Sequence, residues 1–230
     1  MHSPPRTPRT PAPSLITGLV CVSLSLVLLA LVAARWPPLM SLDTTVAEAL
    51  HRRAVTQQGL VQVTRVLTDW VWDPWAMRLL TAAVVVALWW RGSRLLAGWV
   101  AATSLLTSLV QQGLKAAVGR ERPRWPDPVD SAQYAAFPSG HAMTAAVTCG
   151  LLVWLLRLHG VRPPLWWGAL VLAVVSVAGV ALTRVYLGVH WLSDVLGGVL
   201  LGGAVAALSV AAYTTYTART RPAGGEGRPL

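Results

Sequence analysis

Long apolar runs with little or no charge recur along the chain, and charged residues, tryptophans and prolines mark their ends. A helix needs about 20 mostly apolar residues to cross the hydrocarbon core of a bilayer. Six segments meet this requirement, so the pattern predicts an all-α integral membrane protein, a six-transmembrane helix bundle. The predicted spans are Leu15–Ala34, the segment from Asp73 to Trp90, Leu95–Leu114, Gly140–Leu156, Leu165–Thr183 and the segment from Trp191 to about Tyr213.

The second predicted span carries signals at both ends. Asp73 is of a residue type that caps helix N termini, and Pro74 suits the first helical position. Tryptophans flank the span on both sides, as in the aromatic belts that form at membrane interfaces. These tryptophans are Trp70, Trp72, Trp75, Trp89 and Trp90.

Between the first two spans, residues 41–71 combine apolar and charged positions at helical spacing. Leu42, Val46 and Leu50 recur on one side, whereas Asp43 and Glu48 fall among the polar positions. This pattern predicts one or two amphipathic helices that lie in the membrane interface. Two roles stay open for them: a cap on the bundle, or a lip through which a substrate enters.

The two ends of the chain are polar. Residues 1–14 are basic and rich in proline and are expected to be disordered, and residues 219–230 are expected to form a flexible cytoplasmic tail. Residues 15–218 then form a single transmembrane domain. A signal peptide is a competing interpretation of the N terminus, but an apolar run of about 20 residues exceeds the usual signal core of roughly 7 to 15, which favours an uncleaved first span.

Composition supports a membrane location. Of the 230 residues, 54% are hydrophobic and 12% are charged, which is too little charge for the surface of a soluble domain. The formal net charge is +10, but the basic residues are spread over both sides of the predicted bundle and form no continuous groove for nucleic acid. The expected partners are therefore the membrane bilayer and its anionic headgroups, and no nucleic acid.

The loops indicate the orientation of the chain. Basic residues are almost equally numerous on the two sides, but the loops on the side of the N terminus are much shorter, so their basic density is higher. The positive-inside rule then places both termini in the cytoplasm of a multi-pass protein of the plasma membrane.

Three clusters of polar residues lie at span ends that this topology brings to the extracytoplasmic side. They are residues 115–123 (KAAVGRERP), 138–141 (PSGH) and 184–194 (RVYLGVHWLSD). Ionisable groups at membrane depth are costly and usually mark a functional site. Three such clusters on one side predict a single pocket.

The residue types in these clusters suit a phosphate group. Lys115, Arg122 and Arg184 supply three cations, and guanidinium groups bind phosphate oxygens in a bidentate manner. Ser139 adds a hydroxyl, and Gly140 lets backbone N–H groups at the start of a helix approach an anion closely. Together they predict an anion-binding site.

Two histidines can supply the chemistry. His190 and Asp194 are four residues apart on one helical face, so the carboxylate can hold one imidazole nitrogen protonated and leave the other as a nucleophile. His141 is the candidate to protonate the departing oxygen. Arg184 and His190 would point in different directions on one continuous helix, so we expect a helix break at Gly188.

Three motifs, in this order, resemble the signature of the type 2 phosphatidic acid phosphatase (PAP2) superfamily, the lipid phosphate phosphatases related to vanadium haloperoxidases. The motifs are Lys115-x6-Arg122-Pro123, Pro138-Ser139-Gly140-His141 and Arg184-x5-His190-x3-Asp194. They span about a third of the chain. The resemblance implies a helical bundle whose active site opens on the outer face, and dephosphorylation through a phosphohistidine intermediate without metal or cofactor.

The resemblance also implies a role for each matched residue. His190 attacks phosphorus, Asp194 orients it, and His141 protonates the leaving group. The residues implied to stabilise the transferring phosphoryl group are Lys115, Arg122, Ser139, Gly140 and Arg184. The implied activity is a membrane phosphatase for the terminal phosphate of phosphatidic acid, phosphatidylglycerol phosphate or a polyprenyl diphosphate. Thr183 stands where the family often has serine, and it keeps the hydroxyl.

Other classes of function fit less well. A transporter is expected to carry midplane charges and an internal repeat, and the sequence shows neither. A catalytically silent lipid-phosphate-binding or transport protein of the same fold would be expected to lack His141, His190 or Asp194. A metal site built from those three side chains would be opposed by the neighbouring cations. Cys21 and Cys149 lie in predicted spans and are interpreted as packing residues.

Charged residues beside the first motif receive a plainer interpretation. Arg120 and Arg124 match no position of the signature and are interpreted as solvated loop charges or additional headgroup contacts. Their expected partners are Glu121, Asp127 and Asp130.

Glycines in the last span indicate close helix packing. Gly198 and Gly202 are four residues apart, the spacing that lets membrane helices approach closely. Packing within the bundle is the favoured use, and a homodimer interface is the alternative. No catalytic role is expected for the remaining histidines, which are His2, His51 and His159.

Overall fold

The computed structural model describes residues 12–220, and every regular element in that part of the chain is helical. In chain order the elements are α1 (Ala12–Ala33), α2 (Pro37–Ala54), α3 (Gln58–Val66), a π-helical turn (Leu67–Val71), α4 (Pro74–Trp90), α5 (Arg94–Val118), α6 (Gly140–Leu158), α7 (Pro163–Tyr186) and α8 (Leu192–Thr220). Each predicted span coincides with a helix. Residues 1–11 and 221–230 of the two predicted tails lie outside the described residues. The prediction was wrong for residues 12–14 and 219–220, which belong to α1 and α8.

Several of these helices can cross a bilayer. Five helical segments are long and apolar enough: Ala12–Ala33, Gln58–Trp90, Gly140–Leu158, Pro163–Tyr186 and Leu192–Thr220. The protein is therefore a multi-pass membrane protein. Helix α5 has 25 residues, but it does not reach this apolar standard because its buried side includes Thr103, Thr107 and Gln111. A polar face turned into the bundle is typical of a helix that lines a site.

The start of α4 is fixed by the predicted cap. Asp73 Oδ1 accepts hydrogen bonds from the backbone N–H groups of Trp75 at 2.8 Å and Ala76 at 3.2 Å, and Pro74 occupies the first turn. These contacts satisfy N–H groups that have no partner within the helix. The capping prediction is confirmed.

The amphipathic segment folds as α2, α3 and the π-helical turn. Its helical character was predicted, but the buried side of α2 differs from the apolar side read in the sequence. The residues that α2 buries are Asp43, Ala47, His51 and Ala54, whereas Leu42 is exposed. Helix α2 therefore turns a carboxylate and an imidazole toward α7 and α8, the helices against which it packs.

Glycines bring α6 and α8 into close contact. A Cβ atom on Gly198 would lie 2.6 Å from the carbonyl oxygen of Ser139, and one on Gly202 would lie 2.6 Å from that of Met143. Only hydrogen at these positions allows the two backbones to approach so closely. The predicted packing within the bundle is confirmed, and it places the N termini of α6 and α8 side by side.

The break between α7 and α8 occurs where the sequence predicts it. Gly188 has a φ of +70°, in the left-handed region that favours glycine. The indole Nε1 of Trp125 donates a hydrogen bond of 2.8 Å to the Gly188 carbonyl and would lie 2.5 Å from a Cβ at that position. The turn lets Arg184 and His190 both face the interior, where they are buried.

Candidate active site

The predicted site residues meet at one end of the bundle. Lys115 lies in the last turn of α5, Arg184 in the last turn of α7, and Arg122 in the segment that links α5 to α6. Ser139, Gly140 and His141 form the start of α6, while His190 lies in the α7–α8 turn and Asp194 in the first turn of α8. Two C-terminal and two N-terminal helix ends thus converge on one largely buried site.

His190 is held between a carboxylate and a guanidinium group. Its side chain is almost fully buried, with Nδ1 3.4 Å from Asp194 Oδ2 and Nε2 3.0 Å from Arg122 Nη1. A guanidinium group can only donate hydrogen bonds, so Nε2 must accept. The proton therefore sits on Nδ1, and the lone pair of Nε2 faces the cation.

The surroundings of His190 favour the neutral imidazole. Burial lowers the pKa of His190 well below its usual value of 6.5, and the positive charges of Arg122, Arg184 and Lys115 lower the pKa further. The ring is therefore uncharged at neutral pH. A neutral, oriented imidazole is a competent nucleophile once its lone pair is released.

Backbone carbonyls hold the Arg122 side chain in place. Its guanidinium group donates to the carbonyl oxygens of Tyr134 at 2.9 Å, Gln133 at 3.0 Å and Val189 at 2.5 Å. Burial, followed by the charge of Arg184, lowers the pKa of Arg122 to about 10. The group stays cationic at neutral pH and faces the His190 ring.

Lys115 approaches the same loop from α5. Its ammonium group donates a hydrogen bond to the carbonyl oxygen of Ala135, and the Arg122 guanidinium group lies 3.5 Å from that oxygen. The two cations next to this carbonyl repel each other, and an anion bound between them would offset that repulsion. This arrangement suits an anionic ligand.

Arg184 is almost completely buried, and its charge is only loosely balanced. Nη1 lies 3.5 Å from Thr68 Oγ1 and 3.9 Å from carboxylate oxygens of Asp69 and Asp130. Its Nε–H has no hydrogen-bond partner among residues 12–220. Asp130 thus pairs with Arg184, and the expectation that Asp130 pairs with Arg120 or Arg124 was wrong. An unfilled donor on a buried cation is costly and is relieved by an incoming anion.

The start of α6 contributes a second set of unfilled groups. Ser139 is fully buried, and its hydroxyl has no partner in the described part of the chain, while its N–H donates to the Asp194 carbonyl at 3.0 Å. A Cβ on Gly140 would lie 2.6 Å from the side-chain nitrogen of Gln111. His141 is half-buried, with the His190 ring and the charges of Arg184, Arg122 and Lys115 around it.

One residue that the sequence analysis assigned to the solvent belongs to this site. Arg120 is not a solvated loop charge: its side chain is 11% exposed and lies 2.7 Å from Asp194 Oδ1. It also lies 2.7 Å from Asp43 Oδ2 of α2. By contrast, Arg124 is 82% exposed and pairs with Glu121 at 3.4 Å, as predicted.

Two buried residues of α2 were not expected near the site. Asp43 accepts hydrogen bonds from the backbone N–H of Ser193 at 2.8 Å and from its hydroxyl at 2.5 Å. His51 stacks on Trp125 with ring centroids 4.1 Å apart. Burial lowers the pKa of His51, so this ring stays neutral at neutral pH. The available signal was their spacing, since positions 43, 47, 51 and 54 share one side of a helix.

The fold and the site together are those of a helical membrane protein that gathers a buried histidine–carboxylate pair and three cations at one end. The model of the PAP2 superfamily matches residues 96–218, more than half of the chain, and this region contains every predicted site residue. The chain belongs to the PAP2 superfamily, as its motifs indicated.

Individual relatives support this assignment. Over 97 residues the chain is 37% identical to phosphatidylglycerophosphatase B of Bacillus subtilis (strain 168). The aligned residues cover 41% of this chain and 46% of that protein. Over 79 residues it is 38% identical to undecaprenyl-diphosphatase of Sulfolobus acidocaldarius, 34% of each chain. The matched regions thus span less than half the length of these relatives.

A solved structure has the same fold. The crystal structure of a transmembrane PAP2-type phosphatidylglycerolphosphate phosphatase from Bacillus subtilis superimposes with a TM-score of 0.75. The match covers 90% of this chain and 99% of the other, at 23% sequence identity. Because the sequence identity is low, this match shows a shared fold and does not assign an activity.

Proposed function

We propose that the protein is a membrane phosphatase that removes the terminal phosphate of a lipid phosphate or diphosphate through a phosphohistidine intermediate, without metal or cofactor. The observation that carries the proposal is the state of His190. A neutral imidazole keeps its lone pair on Nε2, which faces Arg122, and the charges of Arg184 and Lys115 are nearby. The names of the two relatives, a phosphatidylglycerophosphatase and an undecaprenyl-diphosphatase, support the same activity.

In the first step, Nε2 of His190 attacks phosphorus as the bond from phosphorus to the lipid oxygen breaks. Asp194 accepts the Nδ1 hydrogen bond and stabilises the positive charge that develops on the ring. The bound phosphate offsets the charges of the surrounding cations, so His141 takes up a proton from water and donates it to the departing lipid oxygen. The guanidinium group of Arg122 moves from Nε2 to the phosphoryl oxygens when the substrate binds, and this frees the lone pair for the attack.

The charge on the transferring group is distributed over the remaining side chains and the helix terminus. Lys115, Arg122 and Arg184 bind its oxygens, and the unfilled Ser139 hydroxyl and Arg184 Nε–H supply further donors. Gly140 opens the first turn of α6 to the anion. Phosphoryl transfer depends mainly on such positioning and charge stabilisation.

In the second step, water replaces His190 on phosphorus. His141, now neutral, accepts a proton from the water, and the hydroxide attacks phosphorus as the P–N bond breaks. Phosphate leaves, and His190 and His141 return to their starting states. Each histidine thus acts twice in one cycle.

The membrane arrangement is part of the proposal. Helix α5 crosses the bilayer as the third of six spans, and α2 lies in the interface with α3 beside it. Both termini are cytoplasmic, and the site opens on the outer side of the plasma membrane. The high basic density of the short loops 91–94 and 157–162, at the end of the bundle opposite the site, supports this orientation.

The substrate class is a lipid with a terminal phosphate. Phosphatidylglycerol phosphate and polyprenyl diphosphate correspond to the names of the two relatives, and phosphatidic acid also carries a terminal phosphate. All three place a dianionic phosphate next to an apolar chain, so the head binds the cations while the tail stays in the bilayer.

The test is turnover by purified protein in detergent with a chelator present. We expect phosphate release from these three lipids to exceed release from a soluble phosphomonoester, and His190→Ala to abolish it. His159→Ala is the matched control, because His159 is an exposed histidine at the opposite end of α6. Lipid binding without turnover by the wild type would favour the silent binding or transport protein, and loss of turnover with chelator would reveal a metal enzyme.

A further inference from the structure

A buried network of four side chains lies behind the proposed nucleophile. Arg120 Nη1 contacts Asp194 Oδ1 at 2.7 Å and Ser193 Oγ at 2.6 Å, while Nη2 contacts Asp43 Oδ2 at 2.7 Å. Ser193 binds Asp43 through both its N–H and its hydroxyl. Both carboxylates are almost completely buried. None of these contacts involves a residue that binds the phosphoryl group.

The network divides the two oxygens of Asp194 between different partners. Oδ1 is occupied by Arg120, whereas Oδ2 receives the Trp191 N–H at 2.8 Å and faces His190 Nδ1. The planar fork of a guanidinium group fixes the angle between its partners. Arg120 therefore determines which carboxylate oxygen is left for the histidine.

Asp43 in turn holds Arg120 and the start of α8. Its carboxylate caps the N–H of Ser193 in the first turn of α8, where a negative charge is favourable. The other oxygen receives both Arg120 Nη2 and the Ser193 hydroxyl. A residue of α2, distant in sequence from all three motifs, thus anchors the segment that carries Asp194.

The charges of this cluster also matter for the chemistry. Two carboxylates face one guanidinium group, so one net negative charge remains in a buried region next to His190. That charge stabilises the positive ring that forms when Nε2 binds phosphorus. With a neutral residue in place of Asp43, the positive charge of Arg120 would cancel the negative charge of Asp194. The cluster would then carry no net negative charge.

We infer that Asp43 is a positioning residue for catalysis: acting through Arg120 and Ser193, it fixes the Asp194 carboxylate and thereby the His190 ring. The inference rests on the proposed function. Helix α2 then takes part in catalysis. This role differs from the two that its amphipathic pattern left open, which were a cap on the bundle and a lip for substrate entry. Since Asp43 does not reach the phosphate pocket, its loss should lower kcat and leave KM nearly unchanged.

The first test is Asp43→Asn, which keeps the shape of the side chain. We expect kcat to fall about 10- to 100-fold, the range known for residues that orient the ligands of a metal ion through hydrogen bonds. Glu48→Gln is the matched control, because Glu48 lies on the same helix, is exposed and pairs only with Arg52 in the described structure. This control should keep the wild-type kcat.

A double-mutant cycle with Asp194→Asn separates positioning from general packing. If Asp43 acts through Asp194, adding Asp43→Asn to Asp194→Asn should cost less than about threefold more in kcat, because the path to His190 is already broken. Additive losses would overturn the inference, as would an Asp43→Asn protein whose kcat stays within about twofold of wild type. Should Asp43→Asn fail to fold, Ser193→Ala, which removes one bond to Asp43, carries the same cycle.

A substrate-independent measurement keeps this inference apart from the proposed function. In ¹⁵N spectra of histidine-labelled protein, His190 should carry its proton on Nδ1, and Asp43→Asn should shift that signal. If the wild type releases no phosphate from any lipid but the shift occurs, the proposed function fails and the positioning role stands. An unchanged His190 signal in Asp43→Asn overturns the positioning role, whatever the activity.

Discussion

The Nε2 atom of His190 and the Nη1 atom of Arg122 lie 3.0 Å apart, so the resting nucleophile is covered by one of the cations expected to bind the phosphoryl group. In this state the guanidinium group protects the lone pair from protonation. An incoming phosphate offers Arg122 a stronger acceptor than imidazole, since charged acceptors form the stronger hydrogen bonds. In the proposed mechanism, substrate binding would therefore also release the His190 lone pair.

The pairing of Arg122 with His190 leads to a prediction for Arg122→Lys. Lysine keeps the charge but has no fork that can hold carbonyl oxygens and phosphoryl oxygens together. We expect kcat/KM to fall roughly 100-fold, the usual loss for a donor that stabilises a transferring anion. Steady-state assays should show no comparable loss for Arg124→Lys, whose guanidinium group is exposed. An Arg122→Lys enzyme with wild-type kcat/KM would contradict this role.

The depressed pKa of His190 predicts the pH dependence of stability. In the unfolded chain the ring titrates near 6.5, whereas in the folded protein burial and then the nearby cations hold the pKa well below that value. Below pH 6.5 the unfolded state binds the extra proton first, so the contribution of His190 to stability is complete above 6.5 and declines as the pH falls toward the folded pKa.

His190→Asn isolates this contribution. Thermal unfolding of wild type and variant from pH 8 to pH 5 should show a Tm difference that is constant above pH 6.5 and moves against the wild type below it. The comparison variant is His159→Asn, which replaces an exposed histidine at the opposite end of α6. A wild type that instead gains stability relative to His190→Asn on acidification would mean that the folded ring binds its proton more tightly than assigned.

Apolar runs in the sequence located the helices well because length and composition determine which segments can cross a bilayer. The cap at Asp73 and the break at Gly188 were also readable, since each depends on local backbone chemistry. Local signals of this kind do not need the rest of the fold. The predicted site residues converge because they lie at the ends of helices that the topology brings together.

The network of Asp43 and Arg120 could not be read in the same way. Hydrophobic periodicity in α2 placed Leu42 on the apolar side of an interfacial helix and Asp43 among its polar positions. In a membrane protein the surroundings are apolar and the functional interior is polar, so an acidic residue can face inward. Arg120 matches no position of the signature, and only the folded chain brings it between two carboxylates that are far apart in sequence.

Close packing of α6 on α8 predicts the effect of Gly198→Ala. The new methyl group would meet the Ser139 carbonyl oxygen at 2.6 Å, which is backbone and cannot rotate away. Overpacking of this kind typically costs about 1 to 3 kcal/mol. We expect a lower Tm and a lower kcat together, because the displaced α6 terminus carries Ser139, Gly140 and His141. Gly113→Ala, with nothing near its Cβ position, should change neither quantity; equal effects of both variants would contradict the packing argument.

The loose balance of charge around Arg184 predicts a gain of affinity. Asp130 lies 3.9 Å from Arg184 Nη1 and repels a phosphate dianion that must reach the same guanidinium group. Asp130→Asn removes this competition, while Asp69 still faces Arg184 from the other side. We expect KM for the lipid and the inhibition constant for inorganic phosphate to fall about 2- to 5-fold, the range for a single partly exposed ion pair. The gain should shrink at high ionic strength, where charges are screened.

Asp127→Asn is the matched control for this last prediction, since Asp127 lies in the same loop and is exposed. If Asp130 instead holds Arg184 in its working position, Asp130→Asn would lower kcat and leave phosphate inhibition unchanged. The inhibition constants of Asp130→Asn and Asp127→Asn for inorganic phosphate therefore decide whether Asp130 competes with the substrate or supports Arg184. Competition is favoured because both carboxylates stand 3.9 Å from Nη1, beyond hydrogen-bond distance, while Arg184 Nε–H stays without a partner within residues 12–220.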